Sequence, residues 1–239
     1  MNTAHTVRPD AEPGRSRPGQ QARPQPLSPI LRETRVIAVL RAADARHLRP
    51  AAEALAEEGI RSMEVTLTTA GGVAAIAELA EALGEDAEVG AGTVLSTDDL
   101  DAVVAAGARY VVTPHTDPGL IRAAVAHGVP IVPGGLTPTE LRTGWAAGAS
   151  AVKLFPASAV GPRYVKDLHG PFPGMPVIPS GGVDRSAVGD WIRVGCPAVS
   201  LGGPLLGDAL NGGDLTALRR RAREVLRNIR DAAQEVSGA

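Results

Sequence analysis

The chain has 239 residues, 44% of them hydrophobic and 21% charged, with a formal net charge of −2 and one cysteine, Cys196. That length suits one large barrel or two small domains, with enough apolar residues for a full core of an ordinary soluble globule. With that net charge and no basic run to track a phosphate backbone, nucleic acid and anionic membranes are poor partners; separately, no apolar stretch approaches membrane-spanning length, and the lone cysteine excludes an internal disulfide framework and agrees with a reducing cytoplasm.

From Met1 to about Ser28 the chain is rich in Pro, Gly, Gln and Arg and nearly free of aliphatic residues. Such a segment cannot bury enough surface to offset its ordering entropy, so residues 1–28 are expected to be a disordered tail. From about Leu31 short aliphatic runs alternate with Ala-rich stretches of helical period, the pattern of βα units around a parallel sheet. The runs predict strands at Arg35–Leu40, Ser62–Leu67, Glu88–Val94, Tyr110–Thr113, Pro130–Val132, Ala151–Phe155, Val177–Ser180 and Ala198–Gly202. Eight strands are what a (β/α)8 TIM barrel needs, here as a single barrel over residues 29–239.

Helix boundaries support the count. Asp44, Ser96 or Thr97, Asp117, Thr137 and Asp184 stand where N-caps belong, and Gly59, Gly84, Gly107, Gly128, Gly148 and Gly195 where helices should end. An open doubly wound sheet shares this local pattern. The barrel is preferred because no strand carries a G-x-G-x-x-G fingerprint and polar residues follow nearly every strand.

In such a barrel the site lies at the C-terminal strand ends. Those ends offer Arg41, then Glu64 with Thr66 and Thr68, then Thr93, then Thr113, Pro114 and His115. Further along come Lys153 with Phe155, then Ser180, Gly181 and Gly182, and finally Gly202 and Gly203. Lys153 sits inside Ala151-Val152-Lys153-Leu154-Phe155-Pro156, the context of a buried strand. An ammonium buried without a partner is costly, so a lysine there pairs with an acid or sheds its proton and becomes a nucleophile toward carbonyls. A lysine snorkelling from an edge strand is the plainer alternative.

Glu64 interrupts Met63-Glu64-Val65-Thr66-Leu67 in the same way, and the two charges are expected to be partners. They are either a structural ion pair or an amine with the acid-base group that imine chemistry needs. Glycine pairs after the last two strands fit a backbone phosphate cradle. The histidines show no metal-ligand spacing, so no metal site is expected.

Taken in order, V-I-A-V-L-R-A, M-E-V-T-L-T-T, V-G-A-G-T-V-L, V-V-T-P-H, P-G-G-L-T-P-T-E, V-K-L-F-P-A-S, P-S-G-G-V and L-G-G resemble the 2-keto-3-deoxy-6-phosphogluconate and 4-hydroxy-2-oxoglutarate aldolase group of class I aldolases. The resemblance implies a trimeric (β/α)8 barrel that cleaves a small 2-keto acid to pyruvate and an aldehyde without metal or other cofactor. It assigns the Schiff base to Lys153 and acid-base work to Glu64. Thr93 would hold the pyruvyl carboxylate, Phe155 and Pro114 would line its pocket, and Arg41 would bind an anion. Gly181, Gly182, Gly202 and Gly203 match the phosphate loops, and Ser180 stands where gluconate-type members carry a threonine.

Two residues depart from the family pattern. Thr68 replaces an arginine that binds the substrate carboxylate, and Pro204 replaces a serine whose hydroxyl reaches phosphate. Both changes weaken anion binding, the second bearing on phosphorylated substrates in particular. The expected substrate is 2-keto-3-deoxy-6-phosphogluconate, giving glyceraldehyde 3-phosphate. An unphosphorylated acid such as 4-hydroxy-2-oxoglutarate, or a biosynthetic condensation, is the alternative; a phosphosugar isomerase and a non-catalytic metabolite-binding barrel are more distant ones.

Overall fold

The computed structural model describes residues 25–238. The expected tail therefore lies outside the described residues as far as residue 24. The remainder is engaged with the fold: Ser28 caps α1 (Pro29–Thr34) by accepting from the Leu31 N–H at 2.9 Å, and Pro29 takes a first-turn position where no N–H is needed.

Strands and helices then alternate as β1 (Val36–Leu40), α2 (Leu48–Glu57), β2 (Ser62–Thr66), α3 (Gly72–Leu83), β3 (Glu88–Gly92), α4 (Thr97–Ala105), β4 (Val111–Val112) and α5 (Pro118–Ala126). They continue as β5 (Ile131–Val132), β6 (Gly134–Gly135), α6 (Pro138–Ala146), β7 (Val152–Leu154), α7 (Pro162–His169), β8 (Val177–Pro179), α8 (Val188–Arg193), β9 (Val199–Leu201), α9 (Gly203–Leu206) and α10 (Leu215–Ser237).

The fold is α/β with a curled parallel sheet. Six strands run in the order β5-β4-β3-β2-β1-β9 and three in the order β6-β7-β8, every pair parallel. A parallel bridge between Ser180 and Ser200 links β8 to β9. The single strand expected at Pro130–Val132 is instead two short ones. Pro133 lies between them and has no N–H to donate to a ladder, although its carbonyl accepts from Lys153 N at 2.8 Å.

The helix caps follow local chemistry. Ser96 and Thr137 form capping boxes with Asp99 and Glu140, and Asp117 accepts from the N–H groups of Gly119 and Leu120. Asp44 does not cap: His47 holds that position, while Asp44 pairs with Arg46 and bridges to Ala70. Asp184 precedes a 3-10 turn and makes no capping bond. All six glycines expected at helix ends have positive φ, from 59° at Gly84 to 108° at Gly148, where a Cβ would be strained.

Strand alternation sorts the core into two clusters. Val36, Ala38, Leu40, Met63, Val65, Val152, Leu154, Val199 and Leu201 face the helices in the larger one. Ile37, Tyr110, Val112, Val132, Ala151, Ile178 and Ala198 fill the smaller cluster on the concave face, closed by Leu31 of α1 with Leu27 packed beside it. Tyr110 lies against Gly90, where a Cβ would collide with its ring, and its hydroxyl meets Ser62 Oγ at 3.2 Å. Beside them Glu88 is buried, and burial pushes its carboxyl above the ordinary range. Among the described residues no helix is long and apolar enough to cross a membrane.

Candidate active site

Lys153 is the central residue of β7, between Gly134 of β6 and Ile178 of β8, and only 7% exposed. Phe155 lies two residues on and therefore on the same face, with its ring centroid 5.2 Å from Lys153 Nζ. That ring in turn needs Gly181: a Cβ there would stand 2.8 Å from it, and Gly181 has φ 81°. The residues after β7 and β8 are thus fitted to one another around the amine.

Lys153 opens on a cavity of about 280 Å³. Of the residues singled out in the sequence, the cavity brings together Arg41, Lys153, Phe155, Ser180, Gly181, Gly182, Gly202 and Gly203. An amine, a guanidinium, a hydroxyl and two glycine loops face one space. This set can attack a carbonyl and hold an anionic substrate.

Glu64, Thr68, Thr93 and Pro114 are not among the lining residues. Glu64 is 1% exposed, and neither of its carboxylate oxygens has a hydrogen-bond partner among the described residues. The expected pairing of Lys153 with Glu64 is therefore not formed. The carboxyl group instead lies over Gly92 of β3, where no side chain competes for the space. Such an orphaned buried acid costs stability.

Thr93 follows with φ 60°, a left-handed backbone that a β-branched residue rarely adopts. Arg35 at a helix end is the only other non-glycine residue with positive φ among those described. Strain of this kind collects at sites where the surroundings over-determine the geometry. Thr68 is exposed and donates to Thr66 Oγ1 at 3.1 Å, while Thr66 and Thr69 share a bond of 3.2 Å. Pro114 backs onto Gly134, where a Cβ would lie 2.5 Å from the proline carbonyl. His115 is exposed.

The cavity also contains Pro204, noted in the sequence as a departure from the family pattern, and residues that the sequence reading passed over, among them Val39, Ser200, Leu206 and Asn211. Ser200 carried a usable signal, since it interrupts Ala198-Val199-Ser200-Leu201 as Lys153 interrupts its own strand. It is 4% exposed and accepts a 3.3 Å bond from Ser180. Asn211 ends a 3-10 turn beyond α9, and no local pattern marked it.

The family model "KDPG and KHG aldolase" matches residues 27–220. The chain is 36% identical over 171 residues to the 2-dehydro-3-deoxy-6-phosphogalactonate aldolase of Escherichia coli, covering 71% of this chain and 83% of that protein. It is 35% identical over 202 residues to the 2-dehydro-3-deoxy-phosphogluconate aldolase of Pseudomonas aeruginosa, covering 84% and 91%. Among solved structures it resembles KDPG aldolase from Legionella pneumophila with pyruvate captured as a covalent carbinolamine, at a TM-score of 0.76 and 29% identity over 82% of this chain and 96% of that one. With a family match spanning most of its length, the chain belongs to the KDPG and KHG aldolases, which are lyases.

Proposed function

We propose that the chain cleaves a 2-keto-3-deoxy acid reversibly to pyruvate and an aldehyde through an imine on Lys153. The observation that carries this reading is a lysine buried in mid-strand whose amine opens on a cavity shared with Arg41 and two glycine loops. In this reading Nζ adds to the substrate's C2 carbonyl, and the carbinolamine loses water to give an iminium. Removal of the C4 hydroxyl proton breaks the C3–C4 bond, its electrons pass into the iminium, and the aldehyde leaves. The enamine takes a proton at C3 and water releases pyruvate, returning the free amine.

Glu64 is assigned the proton transfers, for which an enclosed carboxyl with both oxygens unengaged is suited. Thr93 is assigned to the pyruvyl carboxylate, with Phe155 and Pro114 beside the methyl-bearing end, Thr68 at the pocket edge and Arg41 as an anion contact. Ser180, which lines the cavity, is assigned a part in stereochemical preference. Gly181, Gly182, Gly202 and Gly203 would hold a phosphate, which makes 2-keto-3-deoxy-6-phosphogluconate the first substrate to test, with glyceraldehyde 3-phosphate as its aldehyde. Pro204, which lines the cavity without a hydroxyl or N–H, favours a second reading, the same chemistry on an unphosphorylated acid such as 4-hydroxy-2-oxoglutarate.

We also propose that residues 29–239 form one closed eight-stranded barrel. The Ser180–Ser200 bridge and the bond from Lys153 N to Pro133 O support it by joining the two sheets at both ends. A cytoplasmic homotrimer is proposed on family resemblance, and sedimentation would test the trimer. Incubation with pyruvate and sodium borohydride, followed by peptide mass spectrometry, tests the chemistry. A reduced pyruvyl adduct on Lys153 is expected; no adduct on any lysine would overturn the imine.

A further inference from the structure

The rim of the cavity includes Gly203, Pro204, Leu206 and Gly207, all from the single turn of α9 and its end. A four-residue helix has almost no interior, so its carbonyls need partners from elsewhere. Gly202 O accepts from Leu205 N at 2.9 Å and Leu206 N at 3.0 Å, and Gly203 O accepts from Gly207 N at 2.8 Å. The other three carbonyls are met by two guanidinium groups. Arg185 Nη1 donates to Pro204 O at 2.7 Å, while Arg221 donates from Nε to Leu205 O at 2.6 Å and from Nη2 to Leu206 O at 2.7 Å.

Every carbonyl of the turn is thereby satisfied, with cations placed at its negative end. Gly207 makes room for the arrangement, since a Cβ there would stand 2.7 Å from Arg221 Nη2. Arg185 is itself held from α10. Its carbonyl accepts from Asn228 Nδ2 at 3.0 Å, and its Nε lies 3.3 Å from Glu224 Oε2 without hydrogen-bond geometry. Burial first, and then the like charge of Arg185, disfavour the charged form of Arg221. Two cations are thus kept together against repulsion, and neither lines the cavity.

We propose that Arg185 and Arg221 are positioning residues that hold the α9 turn as a wall of the cavity, and thereby set affinity for the part of the substrate beyond its pyruvyl carbons. This rests on the aldolase reading above. Pro204 sharpens the dependence, because a turn that lacks one N–H has fewer donors and relies more on where the others stand.

The test uses the full chain with Arg221→Met, Arg221→Lys and Arg185→Met. Two quantities are compared: kinetics with a six-carbon 2-keto-3-deoxy acid, and half-saturation by pyruvate in borohydride trapping. Loss of charge-assisted bonds to the turn should raise KM for the six-carbon acid by about tenfold in either methionine variant. The kcat should stay within about twofold and pyruvate half-saturation should not move, as expected for lost binding rather than lost chemistry. Arg221→Lys, which keeps the charge with a different donor geometry, should recover part of the KM. Arg185→Met reads the same turn from another element if Arg221→Met does not fold.

An unchanged KM would overturn the proposal, as would a parallel loss in KM, kcat and pyruvate half-saturation, which marks general damage. Wild-type protein that forms no adduct on Lys153 would instead overturn the aldolase reading and the inference with it. Wild-type trapping together with an unmoved variant KM would sink the inference alone.

Discussion

A Cβ built at Gly92 would stand 2.6 Å from the carboxyl carbon of Glu64, so the acid on β2 occupies the space that any side chain on the neighbouring strand would need. The φ of Gly92 is not positive, so the glycine is required by contact rather than by backbone conformation. Gly92→Ala should therefore push Glu64 aside. Turnover should fall by about 10²-fold, with a loss of about 1–3 kcal/mol from overpacking. Steady-state kinetics and urea unfolding of the same preparation check both figures.

Glu64→Met should separate stability from activity in the opposite sense. The substitution replaces an enclosed carboxyl lacking partners with an apolar chain of similar length, and removing such an orphan should stabilise the fold by about 1–3 kcal/mol. Turnover should fall about 10²–10⁴-fold if the carboxyl moves protons. A variant that is both less stable and fully active would contradict both parts.

Thr93→Gly tests whether the left-handed backbone at φ 60° is strain held for binding. Relief of about 1–3 kcal/mol should be largely offset by the greater chain entropy of glycine, leaving stability within about 1 kcal/mol of wild type. Loss of the hydroxyl should raise pyruvate half-saturation in the trapping assay by about tenfold. Unaltered half-saturation would remove Thr93 from the carboxylate site.

Glu88, which does not line the Lys153 cavity, supplies a pH signature of its own. Burial raises its carboxyl above the ordinary value of 4.5, against the smaller opposing effects of Ser28, Ser62 and Arg109. The folded chain therefore keeps a proton that the unfolded chain releases. The associated stability is fully present below pH 4.5 and is lost as pH rises through the folded value. Glu88→Gln, which cannot titrate, should match or trail wild type in acid and gain on it as pH rises. Urea midpoints across this range should show the difference widening above pH 4.5 and then levelling; a difference independent of pH would refute the assignment.

Much of the site was legible because it rests on local exceptions to a strong rule. Lys153 breaks an apolar run and proved to be buried on a cavity, and the same rule applied to Ser200 would have found a second lining residue. Glu64 broke its run too, yet its position could not be read. Whether two charges on β2 and β7 meet depends on strand order and stagger, and here the acid lies over Gly92 instead of pairing with the lysine. Asp44 had the chemistry of a cap but pairs with Arg46, so composition alone misplaced it.

By itself the sequence determined the alternation of strands and helices, the caps at Ser96, Asp117 and Thr137, and the buried amine, because periodicity and capping act over a few consecutive residues. Only the tertiary structure decided which carbonyls Arg221 would satisfy 15 and 16 residues away, that Arg35 would reach Pro197 across 162 residues, and that Ser62, Glu88 and Tyr110 would share one concave face. The first depends on how α10 lies against α9 and the others on parallel register, in which a shift of one residue turns every side chain to the other face, and no local signal encodes either choice.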